Sequence, residues 1–323
     1  MPMRTRACCT AIFVAIVVAP PAGAFDLQGH RGARGLAPEN TLAAFKRALD
    51  IGVTTIETDV GVTRDGIVVI SHDRRLNPAL TRDPAGKWLA SPGPTLRTLT
   101  LAELKTYDVG RLDPASSYAK SWAQQAPADG ERIPALTELF DLMRASGRPV
   151  RLNIETKLSP NAPDETVDPN AFARAVVDTV RGAGFAAGTT VQSFDWRTLI
   201  EVKRLAPDIA TACLTQEGGN GDTVKPDASG GSPWHAGLKL AQHGDSLPRL
   251  VKAAGCDIWS PSWRAVSRER IKEAHALGLK VLPWTVNEPA DMEMLVDAGV
   301  DGLITDYPDR LRSVLAARGK PLP

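Results

Sequence analysis

Two histidines, His30 and His72, stand in the polar stretches Gly29-His30-Arg31-Gly32 and Ser71-His72-Asp73. Between them runs Thr54-Thr55-Ile56-Glu57-Thr58-Asp59-Val60, and a third carboxylate follows in Asn153-Ile154-Glu155-Thr156-Lys157. Imidazole exchanges a proton near neutral pH, so a pair of histidines suits acid and base roles in one reaction. Glu57 and Asp59, two residues apart in an extended run, share one face. With Glu155 they make a hard oxygen donor set suited to one divalent cation, calcium or magnesium. Zinc is disfavoured, because neither cysteine nor paired-histidine spacing accompanies them. Taken singly, each carboxylate reads as solvated or salt-bridged, and Glu155 with Lys157 as an ion pair. Their convergence favours the metal. Arg31 and Lys157 add positive charge, which points to an anion under attack. A phosphodiester fits: the cations offset developing charge, one histidine deprotonates the nucleophile, and the other protonates the departing alkoxide.

Strand patterns predicted at 26–30, 54–60, 149–157, 190–193, 209–214, 257–260, 280–286 and 302–305 alternate with helical ones, the first helix capped by Asn40 or Thr41. Asp65-Gly66 between two β-rich runs predicts a hairpin with a two-residue loop. That register sets Arg64 opposite Ile67 and His72 opposite Asp59, and makes the His72 strand antiparallel. Eight parallel candidates remain. They predict a (β/α)8 TIM barrel, with a doubly wound open sheet as the alternative. In a barrel His30, Glu57, Asp59, Glu155, Lys157, Gln192 and Trp284 all fall at the C-terminal strand ends, where functional groups sit. Gln192 and Trp284 are thus candidate substrate contacts, with barrel packing the alternative for Trp284. Residues from about 74 to 133 form an inserted segment after the second strand, with Thr100-Leu101-Ala102-Glu103 as a capping box and Trp88, Tyr118 and Trp122 as aromatic surface.

Arg4 and Arg6, the apolar run from Ala11 to Ala19, and Ala22-Gly23-Ala24 read as a signal peptide over residues 1–24, with the barrel at 25–323. The apolar run is too short for a membrane span, and Cys8 and Cys9 lie too early for a lipid-anchored cysteine. Losing Arg4 and Arg6 shifts the formal charge from +1 to −1, so neither nucleic acid nor a membrane surface is indicated as a partner. Cys213 and Cys256 are left, either bridged or as two buried thiols. His235 and His243, in the Gly-rich loop from Gln216 to about Gly244, read as solvated by default. His275 reads as structural, and Trp259 and Trp263 as core.

Several stretches together resemble the glycerophosphodiester phosphodiesterase family: His30-Arg31-Gly32, Pro38-Glu39-Asn40-Thr41, Glu57-x-Asp59-Val60 with Thr63-x-Asp65-Gly66, and His72-Asp73. Asn153 to Lys157, Gln192-Ser193-Phe194-Asp195, Pro283-Trp284-Thr285-Val286-Asn287 and Asp301 to Pro308 match as well. The resemblance implies a TIM barrel, a divalent metal, and hydrolysis of glycerophosphodiesters to sn-glycerol 3-phosphate and an alcohol. It also implies His30 and His72 as catalytic residues, Glu57, Asp59 and Glu155 as metal ligands, and Arg31 and Lys157 as phosphate contacts. Two other readings stand beside it: a hydrolase of lysophospholipid head groups, and a non-catalytic phosphoglycerol-binding barrel or adhesin. The leader implies export, and a nutrient product favours the periplasm over full secretion.

Overall fold

The computed structural model describes residues 25–322, so the leader reading falls outside the described residues. In chain order the strands are β1 (Asp26–Gly29), β2 (Thr55–Val62), β3 (Val68–Ile70), β4 (Arg151–Thr156) and β5 (Thr189–Ser193). There follow β6 (Ala210–Thr215), β7 (Ile258–Pro261), β8 (Lys280–Val281) and β9 (Gly302–Thr305). Eight of these are parallel, in the order β8-β7-β6-β5-β4-β2-β1-β9, and β3 branches antiparallel from β2. The ends meet through single hydrogen bonds rather than a ladder. Asp301 N–H donates to the Val281 carbonyl (3.1 Å), Ile304 N–H to Pro283 (3.0 Å) and Val286 N–H to Ile304 (3.0 Å). Pro283 has no N–H to give, which cuts the strand expected over 280–286 to two residues. The result is a nearly closed eight-stranded parallel barrel of the TIM type, and the open-sheet alternative is overturned.

Helices cover the barrel by burying one apolar stripe each. The helix Leu42–Ile51 starts where the Thr41 hydroxyl accepts from Ala44 N–H and stops at left-handed Gly52; its buried side carries Phe45, Ala48 and Leu49. Thr41, not Asn40, is therefore the cap.

The β2–β3 register differs from the expected one by a residue. Val62 pairs with Val68 and Val60 with Ile70, so the Asp59 carbonyl accepts from Ser71 N–H (2.9 Å), not from the His72 position. A two-residue type I′ turn needs positive φ at both central residues, and in this loop only Gly66 has it, at 78°. The Thr63 hydroxyl donates to Asp65 Oδ1 (2.6 Å) and accepts from Ile67 N–H (2.9 Å), holding a three-residue loop instead. His72 lies just beyond the end of β3.

The connection from β3 to the helix Leu136–Ser146 contains only short helices, among them Leu101–Leu104, opened by the Thr100/Glu103 capping box. It packs around its own small core of Val69, Leu76, Leu96, Leu104 and Ile133. Trp259 is fully buried, and Trp263 is half-buried against the main core. His235 is buried too, against the solvated expectation: the Pro233–His235 turn, capped by Ser232, lays its ring on Trp196 with centroids 4.3 Å apart. His243 is half-buried, and His275 pairs at the surface with Asp301 (2.9 Å).

Cys213 on β6 and Cys256, just before β7, form a disulfide with Cα atoms 6.0 Å apart. They lie 43 residues apart in sequence, so the bridge closes a long loop and restricts the unfolded chain. Replacing both by serine is expected to lower stability by about 2–4 kcal/mol in equilibrium urea unfolding. An unchanged midpoint would contradict a bridged native state.

Candidate active site

Parallel pairing in register builds the acidic centre. β2 and β4 align Asp59 with Glu155 and Glu57 with Asn153, and β4 and β5 align Glu155 with Gln192. Glu57, Asp59 and Glu155 are buried, and one oxygen from each lies within 4.8 Å of the others. An amide chain fixes Glu57 from below: Gln192 Nε2 donates to its Oε1 (2.9 Å), and Asn153 Nδ2 donates to Gln192 Oε1 (3.0 Å) and Gln28 Oε1 (2.8 Å). Gln192 lines the cleft, as expected, but both ends of its amide are engaged by the protein.

Packing like charges together shows in their titration. Burial, then the neighbouring Asp59 and Glu155, push Glu57 well above the ordinary range. Burial is also the main cause raising Glu155 to about 6, with Asp59 adding to it and Lys157 opposing. Asp59 moves the other way: burial would raise it, but Arg31, His72 and Lys157 outweigh that and hold it far down.

Arg31 sits at the turn after β1, in the left-handed region at φ 50°. Its backbone N–H donates to Glu57 Oε2 (2.8 Å), Nη1 donates to Glu39 Oε1 (2.6 Å), and Nε lies 3.2 Å from Asp59 Oδ2. Gly32 follows at φ 85°, where a Cβ would meet the Ala44 carbonyl carbon at 2.6 Å, so the turn can close on the first helix only with glycine. Lys157 Nζ reaches Glu155 Oε1 (2.6 Å) and lies 3.6 Å from Asp59 Oδ1.

A divalent cation fits this set on two counts. Four carboxylates, Glu39, Glu57, Asp59 and Glu155, share two cations, Arg31 and Lys157, which leaves two negative charges over. Asp59 Oδ1, although buried, has no hydrogen-bond partner. All-oxygen donors are those calcium and magnesium take.

Each histidine is held through Nδ1 by a carboxylate. His30 Nδ1 lies 2.6 Å from Asp306 Oδ1, and its Nε2 lies 3.9 Å from Glu57 Oε2. Asp306 also accepts from Arg34 Nε (2.7 Å), Arg34 Nη2 (2.9 Å) and Asn287 Nδ2 (2.7 Å). His72 Nδ1 lies 2.9 Å from Asp73 Oδ1, whose other oxygen accepts from Asn77 Nδ2 (2.6 Å). Burial lowers His30 to about 4 in spite of Asp306. His72 is lowered by burial first, then by Arg31 and Lys157.

The structure thus gathers His30, Arg31, Glu57, His72, Glu155, Lys157, Gln192 and Trp284 around one cleft of about 540 Å3 open to solvent, with Asp59 in the acidic centre beside it. Phe194 stands edge-on to Trp284 with ring centroids 5.4 Å apart and extends the aromatic wall. Local sequence patterns do not show that Asp306, Arg34, Glu39 and Asn40 support the site: Asn40 reads there only as a helix cap. Asn40 Nδ2 donates to Asp59 Oδ2 (2.9 Å) and its Oδ1 accepts from Thr58 Oγ1 (2.9 Å). Asp306 follows β9 directly, so the strand-end rule that singled out the other residues also covers it.

Chemistry at the C-terminal rim of a parallel barrel places the chain among TIM-type enzymes. Residues 30–310 match the Glycerophosphoryl diester phosphodiesterase family, and the chain belongs to that family of hydrolases. It is 30% identical over 290 residues to a glycerophosphodiester phosphodiesterase of Caldanaerobacter subterraneus subsp. tengcongensis, covering 90% of this chain and 97% of that protein. A glycerophosphodiester phosphodiesterase of Bacillus subtilis is 27% identical, covering 88% and 84%. A crystal structure from Silicibacter pomeroyi DSS-3 is 36% identical and superposes with a TM-score of 0.79, covering 95% and 98%. An Oleispira antarctica phosphodiesterase in complex with the product sn-glycerol-3-phosphate is 25% identical with a TM-score of 0.64, covering 90% and 96%.

Because Glu57 and Glu155 titrate above the ordinary glutamate value of 4.5, their contribution to the stability of the metal-free protein is present below that value. It is lost as pH rises through about 6 for Glu155. Calcium or magnesium is therefore expected to raise Tm at pH 7.5, by the equivalent of roughly 2.7 kcal/mol at a hundredfold excess over Kd. At pH 5 protons compete and the shift shrinks. Equal shifts at both pH values, read by differential scanning calorimetry, would contradict binding at these carboxylates.

Proposed function

We propose that the chain hydrolyses glycerophosphodiesters to sn-glycerol 3-phosphate and an alcohol, with one calcium or magnesium ion held by Glu57, Asp59 and Glu155. The observation that carries this reading is the pair of imidazoles in one cleft with the acidic centre, each anchored through Nδ1 so that Nε2 is left for proton transfer. The product held by the Oleispira relative supports the same substrate class. When bound, the cation neutralises charge on the phosphate oxygens. Lys157, with three donors, reaches the phosphate beside it, and Arg31 adds charge from the turn after β1.

The histidines differ in position, and the proposed roles follow from that. The His30 side chain is 11% exposed and sits deep beside Glu57, whereas that of His72 is 31% exposed on the open side. His30 accepts the nucleophile's proton on Nε2, and Asp306 stabilises the imidazolium formed. His72 acts as the imidazolium, which its hydrogen bond to Asp73 favours against burial, and gives the Nε2 proton to the departing alkoxide, which leaves toward solvent.

The leader over residues 1–24 supports export, and we place the mature protein in the periplasm. The Cys213–Cys256 bridge supports an oxidising compartment. Among the described residues no helix is long and apolar enough to cross a membrane.

The test is release of glycerol 3-phosphate from glycerophosphocholine by the purified protein, before and after chelation and with calcium or magnesium returned. Chelation is expected to abolish turnover and metal to restore it. His72→Ala should lower kcat by at least about 100-fold with metal present. No release from any glycerophosphodiester, by a folded protein with metal added, would overturn the reading.

A further inference from the structure

The catalytic cleft continues past His72. His72 and Lys157 also line a more open hollow of about 820 Å3, walled by Asp73, Arg74, Arg75 and Glu165. Here one carboxylate serves two guanidinium groups: Glu165 Oε2 accepts from Arg74 Nε (2.8 Å) and Oε1 from Arg75 Nε (2.7 Å). Both bonds use the Nε edge. No terminal amino group of either arginine has a hydrogen-bond partner among the described residues, so both remain available to a ligand.

Glu165 is itself fixed. It ends the turn Pro163–Glu165, and Arg97 Nη1 reaches across from the inserted segment to donate to the carbonyls of Asp164 (2.7 Å) and Thr166 (3.0 Å). Asp73 is committed to His72 and Asn77. Three cations, Arg74, Arg75 and Lys157, thus face the hollow with their carboxylate partners already engaged, and guanidinium suits the planar two-point recognition of an anionic oxygen group.

Phe194, Leu214, Trp284 and Ile304 give the catalytic cleft an apolar lining. A glycerophosphodiester has one constant half, the small glycerol phosphate, and one variable half, the alcohol. The smaller cleft at the acidic centre suits the constant half, and the wider hollow beyond His72 has room for the variable half. We infer that the hollow beyond His72 is the subsite for the departing alcohol, and that it selects alcohols bearing an anionic group. The inference rests on the phosphodiesterase reading above.

Glycerophosphoserine and glycerophosphoethanolamine differ by one carboxylate and form the probe pair. The wild-type protein is expected to show about a 10-fold higher kcat/KM for the serine ester, a modest ratio because the arginines are partly exposed. Arg74→Gln with Arg75→Gln should bring the ratio to about 1, whereas Arg74→Lys with Arg75→Lys, which keeps the charge, should hold it above about 3. Calorimetric titration of the His72→Ala protein with the same two esters separates this subsite from the chemistry. Tighter binding of the serine ester that the glutamine pair removes, without turnover in wild type, would sink the phosphodiesterase reading and leave the subsite standing. Turnover of both esters with equal kcat/KM and equal affinity, or a ratio that the glutamine pair leaves unaltered, overturns the subsite.

Discussion

Three carboxylate oxygens held within 4.8 Å of one another in a buried space repel, by about 3–4 kcal/mol per ionised pair at an effective dielectric near 20. Much of the surrounding structure is arranged against that repulsion. The parallel register forces it, by aligning Asp59 with Glu155 across β2 and β4, and the neighbouring residues contain it. Arg31 and Lys157 supply the charge, Asn40 and Gln192 hold single oxygens by hydrogen bonds, and the formal count leaves two negative charges, which a divalent cation would balance. Glu57 and Glu155 titrate high chiefly because they are buried, with the neighbouring carboxylates adding to it.

The inserted segment is coupled to that balance. The Tyr118 hydroxyl donates to Glu39, which accepts from Arg31, whose Nε lies beside Asp59. Gln125 donates to the Arg34 carbonyl (2.8 Å), and the Arg34 guanidinium packs over Trp122, 4.3 Å from the ring centroid. Arg97 braces the 163–165 turn from the same segment. A barrel leaves its rim loops free to vary while its strands stay fixed, so an insertion here can orient site residues without disturbing the sheet.

The acidic centre was legible because a period of two is a strong constraint: Glu57 and Asp59 share a face in any strand that runs through them. Alternating strand and helix patterns likewise carried the barrel. What escaped depends on groups distant in sequence. Asp306 acts on His30 only because β9 pairs with β1, and Glu39 matters only through Arg31 and Tyr118. His235 is buried because its turn folds onto Trp196, which no local pattern announces. The hairpin register departs from the sequence pattern for a local reason: Asp65-Gly66 reads as a two-residue turn, but the Thr63 hydroxyl binds on both sides of a longer one. Pro283 was in plain view, and its missing N–H is what shortens β8.

The central claim is that Glu57, Asp59 and Glu155 hold one divalent cation. Equilibrium dialysis of the metal-free protein against calcium, repeated with Asp59→Asn, tests it directly. One ion bound per chain at neutral pH, and its loss in the variant, is the result this account predicts. An absence of binding to the folded wild-type protein, with magnesium giving the same answer, or binding that Asp59→Asn leaves intact, would contradict it.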